Sequence, residues 1–373
     1  MRRTKLLLFL VLAALLVLSA CSQKSNSGGN SGSSASGGSS AGSTDSSGSS
    51  GSSDSSASSG SESQEPAKPK ADPIHWKLGH TQPVGGPYQK AAELFKQLVE
   101  ERSEGQLIID IFPSSQLGNG RDMVEGLQIN TIQIYTGTLS VTASFAPKMG
   151  IYSLPYLFRD VDHAHKVVKG EIGKELSKEL EAVGILNVGH WESGFRHFTN
   201  NVRPIKSAAD LKGLKMRVLE SEVFIELMKQ METTPVPMPV GELYSALEQK
   251  AVDGEENPLG QIVNLKFYEV QKYLTLDGHI YDVGAILVSK IAFDALDPEL
   301  QQIVLDAAAE ASEYNQQLSF EAEQNYVDFL KEQGMEVEEN PDLESFRQAA
   351  APVYDKFADK YGADLIERIR AVQ

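Results

Sequence analysis

The chain has 373 residues, and its apolar content of 41% is sufficient for a sizeable globular body. Its formal net charge of −17 argues against a nucleic-acid partner, which requires clustered Lys and Arg, although one or two buried arginines can still bind a small anion. The single cysteine excludes an internal disulfide framework and a cysteine-rich metal site.

The first 20 residues have the pattern of a secretory signal peptide. Arg2 and Arg3 precede an unbroken apolar run over residues 6–18. The run ends in Leu-Ser-Ala-Cys, which resembles a bacterial lipobox and predicts lipidation of Cys21; an ordinary signal peptide with an incidental cysteine is the alternative. Because no later apolar run approaches the roughly 20 residues needed to span a bilayer, we expect a lipid-anchored protein on the outer face of the membrane or in the periplasm.

Residues 21–73 are dominated by Ser and Gly, with scattered Asp and a short Pro/Lys-containing spacer at the end. Such a composition cannot bury enough apolar surface to become ordered. It predicts a flexible tether outside the fold, and a low-complexity insert without function has the same signature.

The pattern from residue 74 to 137 predicts a β-α-β-α-β unit. Apolar and polar residues alternate over 74–78, and the strand ends at His80. An amphipathic helix over 88–102 and a strand over 107–112 follow. A second helix through Leu127 and a strand over 132–137 complete the unit.

A second parallel α/β unit is predicted after the strand over 185–191, between residues 211 and 258. Its strand carries Arg217 between two apolar residues, so the arginine points to the opposite face and needs a partner. A helix over 223–231, an extended proline-containing segment, a helix over 242–250 and a final strand complete the unit. Ligands of such units bind beyond the carboxyl ends of the strands.

One long helix is predicted from Asp297-Pro298 to Gly334, with the aspartate as its cap. At 1.5 Å per residue it is about 50 Å long and must cross the whole body. The remaining pattern predicts a helix near 162–182, a strand over 286–288, a short strand over 335–338, and helices over 343–358 and 363–371.

The sequence lacks the arrangements expected of an enzyme or a metalloprotein. His163 and His165 are two residues apart on a helix and do not share a face. No nucleophile, base and orienting residue occur together in a recognisable pattern. We therefore expect a protein without catalytic activity, metal or cofactor.

Five segments together resemble the DctP-type solute-binding proteins of tripartite ATP-independent periplasmic (TRAP) transporters. They occur in family order and spacing: Pro-Ser-Ser-Gln-Leu-Gly at 113–118, Gly-Phe-Arg at 194–196, the Arg217 strand, Val-Asp-Gly-Glu-Glu-Asn-Pro at 252–258, and Lys-Phe-Tyr-Glu-Val at 266–270. The resemblance implies an α/β periplasmic-binding-protein-like fold (class II-like) with two lobes and a long helix spanning both. Lobe I would comprise 74–194 plus 283–322, and lobe II 195–282 plus 323–373.

The resemblance also implies the site. Arg217 would hold a ligand carboxylate through two hydrogen bonds, and Arg196 would be a second contact. Asn257 would line the pocket, and His80 would contribute from the other lobe. Each has an alternative role: Arg217 paired with Glu220, Arg196 paired within its own lobe, Asn257 as a turn residue, and His80 without ligand contact.

The function implied is that of an extracytoplasmic, monomeric receptor for a small organic acid. It would deliver a C4-dicarboxylate or sugar acid to the small and large membrane subunits of a permease. The alternative is a ligand-presenting subunit for a receptor histidine kinase. The absence of a side chain at Gly137, and Val240 in place of a bulky aromatic found in some relatives, predict a roomy pocket.

Overall fold

The computed structural model describes residues 72–373. The predicted signal peptide (1–20), the lipidation site Cys21 and nearly all of the predicted tether (21–73) lie outside the described residues. Within those residues, no helix combines the length and the apolar character that crossing a membrane requires.

The described residues form one nine-stranded sheet. Its strand order is β2-β1-β3-β8-β4-β7-β5-β6, and β9 pairs with β8. The strands are β1 (Ile74–Gly79), β2 (Leu107–Phe112), β3 (Ile134–Thr138), β4 (Ile185–Asn200), β5 (Lys215–Val218), β6 (Thr234–Pro237), β7 (Gly254–Pro258), β8 (Tyr273–Ser289) and β9 (Glu336–Glu338).

The part of the chain that the structure describes contains eleven α-helices. They are α1 (Pro87–Arg102), α2 (Gly120–Gln128), α3 (Val161–Lys169), α4 (Glu171–Glu181), α5 (Glu222–Gln230), α6 (Val240–Glu248), α7 (Leu259–Asn264), α8 (Lys290–Asp294), α9 (Pro298–Glu332), α10 (Leu343–Tyr361) and α11 (Ala363–Ala371).

The two predicted parallel units are confirmed. β1 pairs in parallel with β2 on one side and with β3 on the other. β5 likewise pairs in parallel with β6 and with β7. Helix α2 begins at a capping box, in which the Asn119 side chain accepts from the backbone N–H of Asp122 and the Asp122 side chain accepts from that of Asn119.

Two long antiparallel strands connect these units. β4 has 16 residues and β8 has 17, and they pair with each other along most of their length. The prediction of short strands over 185–191 and 286–288 was therefore wrong in extent. The reason is that buried polar residues such as Thr199 and Asp277 interrupt the apolar pattern. Their hydrogen-bond partners Glu255 and Tyr156 are remote in sequence.

The long helix is confirmed as α9, where the Asp297 carboxylate accepts a hydrogen bond from the backbone N–H of Leu300 at 2.9 Å. The single helix predicted near 162–182 is instead α3 and α4, separated at Gly170. A Cβ at Gly170 would lie 2.5 Å from the carbonyl oxygen of Lys166, so the break requires glycine.

The structure has the predicted two-lobed α/β fold, with one parallel unit in each lobe and strands β4 and β8 running between them. The exact lobe limits stay a prediction. The C-terminal helices contact residues assigned to lobe I: Arg368 pairs with Glu175 at 2.7 Å, and the Tyr354 hydroxyl donates to the Pro155 carbonyl oxygen at 2.7 Å.

Candidate ligand-binding site

A cavity lies where the carboxyl ends of the two parallel strand sets face each other. It encloses about 780 Å³ of empty space, including its open mouth. One wall follows β1 and β3 and includes the start of α2; the other follows β5, β6 and β7. The lining residues used below are Thr81, Gln82, Tyr88, Arg121, Tyr135, Gly137, Thr138, Ser140, Arg196, Arg217, Glu220, Val240 and Asn257.

Arg217 is incompletely paired within the part of the chain that the structure describes. Its Nε and Nη2 donate to the Met238 carbonyl oxygen at 3.0 and 2.8 Å, while the buried Nη1 has no partner among the described residues. No ion pair joins Arg217 to Glu220, although both residues line the cavity and are described. Burial lowers the pKa of Arg217 to about 10, so the site favours an anion beside this guanidinium.

Arg196 also lines the cavity, but its guanidinium is heavily engaged. Nε donates to the Glu256 carboxylate at 2.5 Å, Nη1 to Asp282 at 2.9 Å, and Nη2 to Asn257 Oδ1 at 3.0 Å. Burial opposes its charge, but Glu256 and Asp282 outweigh burial and raise the pKa of Arg196. Arg196 thus makes the pairing within the protein that the sequence left open, and its role as a ligand contact stays a prediction.

Asn257 lies near the end of β7 and lines the cavity. Its Oδ1 accepts from Arg196, and its Nδ2 donates to the Glu255 carboxylate. Burial raises the pKa of Glu255 to about 7. The amide therefore connects the lining of the cavity to a buried carboxyl group beneath it.

His80 is wholly buried at the end of β1 and is not among the residues that line the cavity. Its Nε2 forms a hydrogen bond with Gln89 Oε1 at 2.9 Å, and burial lowers its pKa. The next two residues, Thr81 and Gln82, reach the cavity instead. A ligand contact by His80 stays a prediction, and this geometry does not favour it.

The tyrosine hydroxyls in the lobe I wall were missed by the sequence analysis. A Cβ built at Gly137 would lie 2.0 Å from Tyr135 Oη, and one built at Gly284 would lie 2.4 Å from Tyr88 Oη. The absence of a side chain at Gly137 therefore does not enlarge the pocket, because Tyr135 occupies that space. The signal in the sequence was Tyr-Thr-Gly at 135–137, since residues two apart in a strand share a face.

A buried charged network extends from the cavity through β4, β7 and β8. His279 lies between Asp277 at 2.9 Å and Glu256 at 3.3 Å, and its ring stacks on Phe198 with centroids 4.3 Å apart. Burial alone would lower the pKa of His279, but the two carboxylates raise it to about 9. His279 is thus an internal cation that helps to balance the carboxylates under the cavity.

Comparison with known proteins decides the family. Residues 78–360 match the model of the DctP family, described as bacterial extracellular solute-binding protein, family 7. The chain belongs to this family. It is accordingly a DctP-type solute-binding protein of the TRAP transporter class, and its relatives are binding proteins of transport systems rather than enzymes.

Two curated relatives of this solute-binding protein differ in ligand. The 2,3-diketo-L-gulonate-binding periplasmic protein YiaO of Escherichia coli is 38% identical over 286 residues, covering 76% of this chain and 87% of the relative. The C4-dicarboxylate-binding periplasmic protein DctP of Rhodobacter capsulatus is 32% identical over 310 residues, covering 81% and 91%.

Among solved structures, a TRAP periplasmic solute-binding protein from Polaromonas sp. JS666, bound to D-erythronate, is 38% identical to this chain. The TM-score is 0.79, with coverage of 80% of this chain and 99% of the other. The family thus includes binding proteins for sugar acids and for dicarboxylates, and the fold and function class predicted from the sequence are confirmed at that level.

Proposed function

We propose that this protein is a lipid-anchored extracytoplasmic receptor that captures a small organic acid through Arg217 and delivers it to a TRAP permease. The observation that carries the proposal is the buried Arg217 guanidinium at the cavity, whose Nη1 has no hydrogen-bond partner in the described part of the chain. A ligand carboxylate placed there would supply the charge that the protein does not provide.

Neighbouring groups suit this role. Because Nε and Nη2 of Arg217 are fixed on the Met238 carbonyl oxygen, the planar guanidinium is held in one orientation before a ligand arrives. Arg196 has one N–H on Nη1 beyond its bond to Asp282, which allows a supporting contact. Asn257 is held between Arg196 and Glu255 and is similarly fixed.

Anchoring and delivery rest on the sequence and on the relatives. The lipobox-like segment ending at Cys21 supports a lipid anchor. The relatives described above bind sugar acids or C4-dicarboxylates, which supports the same broad ligand class for this chain. Membership of the TRAP class supports a permease with small and large membrane subunits as the partner. Binding would close the two lobes, and the permease would recognise the closed form.

The test is a thermal-shift screen of the purified protein against aldonates, uronates and dicarboxylates, followed by titration of the best ligand. We expect one class to stabilise the wild type. Arg217→Ala should weaken binding by about 2 to 5 kcal/mol, a factor of about 30 to several thousand, because a charge-assisted contact in a desolvated cleft is lost.

Arg203→Ala is the matched control. Arg203 also donates Nε and Nη2 to backbone carbonyl oxygens, those of Asp210 and Lys212, but it does not line the cavity. The Arg203→Ala variant should bind the ligand with the affinity of the wild type. Equal affinity in Arg217→Ala would refute the proposed contact, and a folded protein that neither binds nor releases any acid on denaturation would refute the receptor function.

A further inference from the structure

Asp282 lies directly behind the lobe I wall of the cavity. It is wholly buried on β8 and does not line the cavity, whereas Thr138 and Ser140 do. Both hydroxyls donate to Asp282 Oδ1, Ser140 at 2.8 Å. Asp282 Oδ2 accepts from Arg196 Nη1 at 2.9 Å, which makes Asp282 a link between the two walls.

These bonds fix the direction of the hydroxyl protons. A carboxylate can only accept, so the single proton of each hydroxyl points at Asp282 and away from the cavity. Each oxygen has one further donor: the Ser140 N–H reaches Thr138 Oγ1 at 3.1 Å, and the Ser153 hydroxyl reaches Ser140 Oγ at 3.1 Å. One lone pair then remains on each oxygen, and a ligand meets it as a hydrogen-bond acceptor.

Among residues 72–373, the two arginines besides Arg217 that line the cavity both have carboxylate partners. Arg196 is shared between Asp282 and Glu256, both buried carboxylates. Arg121, the third arginine of the lining, pairs with Glu125 at 3.3 Å and has about half of its side chain exposed. Glu220 adds a further acidic group to the lining.

Tyr135 continues the same neutral wall. Its hydroxyl fills the space beside Gly137, and burial and the nearby Asp282 both raise the pKa of Tyr135, so the phenol keeps its proton. A ligand hydroxyl can donate to Thr138 and Ser140 and exchange hydrogen bonds with Tyr135. A second carboxylate would instead face two acceptor oxygens with the Asp282 charge behind them.

We infer that Asp282, acting through Thr138 and Ser140, makes the cavity selective for hydroxylated monocarboxylates over dicarboxylates. The carboxylate lies on Arg217, and hydroxyls on the ligand's far end donate to the opposite wall. This selectivity rests on the proposed receptor function and narrows its ligand class. Asp282 is a positioning residue here. It orients the Thr138 and Ser140 hydroxyls, which contact the ligand, but it does not contact the ligand itself.

Calorimetric titration of the purified protein with chain-length-matched acids tests the selectivity. The pairs are erythronate with succinate and gluconate with adipate. In the better-fitting pair, we expect the hydroxylated acid to bind at least about 10-fold more tightly than the dicarboxylate. One or two good hydrogen bonds account for a difference of this size. Equal or tighter binding of the dicarboxylate overturns the inference while leaving the receptor function intact. A folded protein that binds none of these acids and releases no acid on denaturation overturns both.

Two variants test whether Asp282 acts by orienting the Thr138 and Ser140 hydroxyls or only by packing in the wall. Ser140→Ala removes one hydrogen-bond acceptor. It should lower the affinity for the hydroxylated acid by about 10-fold and leave the affinity for the dicarboxylate unchanged or higher. Asp282→Asn places an amide behind the wall, which frees the hydroxyl protons of Thr138 and Ser140 to turn toward the ligand. The variant should therefore reduce the difference in affinity between the hydroxylated acid and the dicarboxylate of a pair. If Asp282→Asn does not fold, the Ser140→Ala result decides; an equal loss for both acids in Ser140→Ala overturns the inference.

Discussion

Two buried arginines at the cavity differ in what the protein does with their charge. Arg196 is held by Glu256 and Asp282, and these carboxylates raise its pKa. Among the described residues, the hydrogen bonds of the Arg217 guanidinium go to one carbonyl oxygen, that of Met238, and burial lowers the pKa of Arg217. The same residue type therefore holds the protein together at one position and remains available for an anion at the other.

Methionine substitutions distinguish these roles by stability alone. Arg196→Met should lower the free energy of unfolding by about 3 to 5 kcal/mol, because it leaves two buried carboxylates without their cation. Arg217→Met should stay within about 1 kcal/mol of the wild type without ligand, since it removes a cation that is not fully paired. Urea unfolding of the ligand-free proteins measures both, and equal losses would contradict this division of roles.

At the scale of the element, β3 places the Tyr135 hydroxyl at the cavity, and the lack of a side chain at Gly137 leaves the space that this hydroxyl occupies. Tyr135 and Gly137 are two residues apart in the strand and share a face. The Tyr135 ring lies over the Gly137 backbone, where a Cβ would be 2.0 Å from Oη and 2.3 Å from Cζ. The strand thus requires glycine for a reason of packing rather than of backbone conformation.

Gly137→Ala should displace the Tyr135 ring into the cavity. We expect a folded protein that is less stable by about 1 to 3 kcal/mol, the usual cost of overpacking, and that binds its ligand more weakly. Gly241→Ala is the control, because its Cβ would meet Ser115 Oγ at an ordinary 3.8 Å. Calorimetry and thermal unfolding report both effects, and wild-type affinity in Gly137→Ala would show that the ring has room to move elsewhere.

At the scale of the whole molecule, buried titratable groups make global stability depend on pH. The pKa of His279 is raised to about 9, above its ordinary value of 6.5, so its stabilising effect is complete below pH 6.5 and is lost between 6.5 and about 9. The pKa of Glu255 is raised to about 7 by burial, and ionising this carboxyl costs stability between pH 4.5 and 7. Because of both groups, we expect the stability of the folded protein to fall as pH rises.

His279→Gln isolates the first of these effects. The variant should be less stable than the wild type at pH 6.5, because Asp277 and Glu256 lose their shared cation. Its melting temperature should then change less between pH 6.5 and 9, since the titrating group is gone. Thermal unfolding of ligand-free protein across that range is the measurement; a slope as steep as in the wild type would assign the pH dependence to other groups.

The sequence by itself determined the two parallel units, the long helix α9, the family and the broad ligand class. Hydrophobic periodicity, helix caps and ordered motifs are local signals, and they fix local structure without knowledge of remote contacts. The prediction of Arg217 as a ligand contact has the same local basis, since its strand and motif are contiguous in the chain.

Only the tertiary structure decided the electrostatics of the site. Asp282 is 86 residues from Arg196 and 142 residues from Ser140, yet all three share one hydrogen-bonded network. The pairing of Arg196, the burial of His80 behind the lining and the filling of the space at Gly137 likewise depend on contacts between strands. A charge in a sequence does not reveal whether its partner is a ligand or a carboxylate that folding brings beside it.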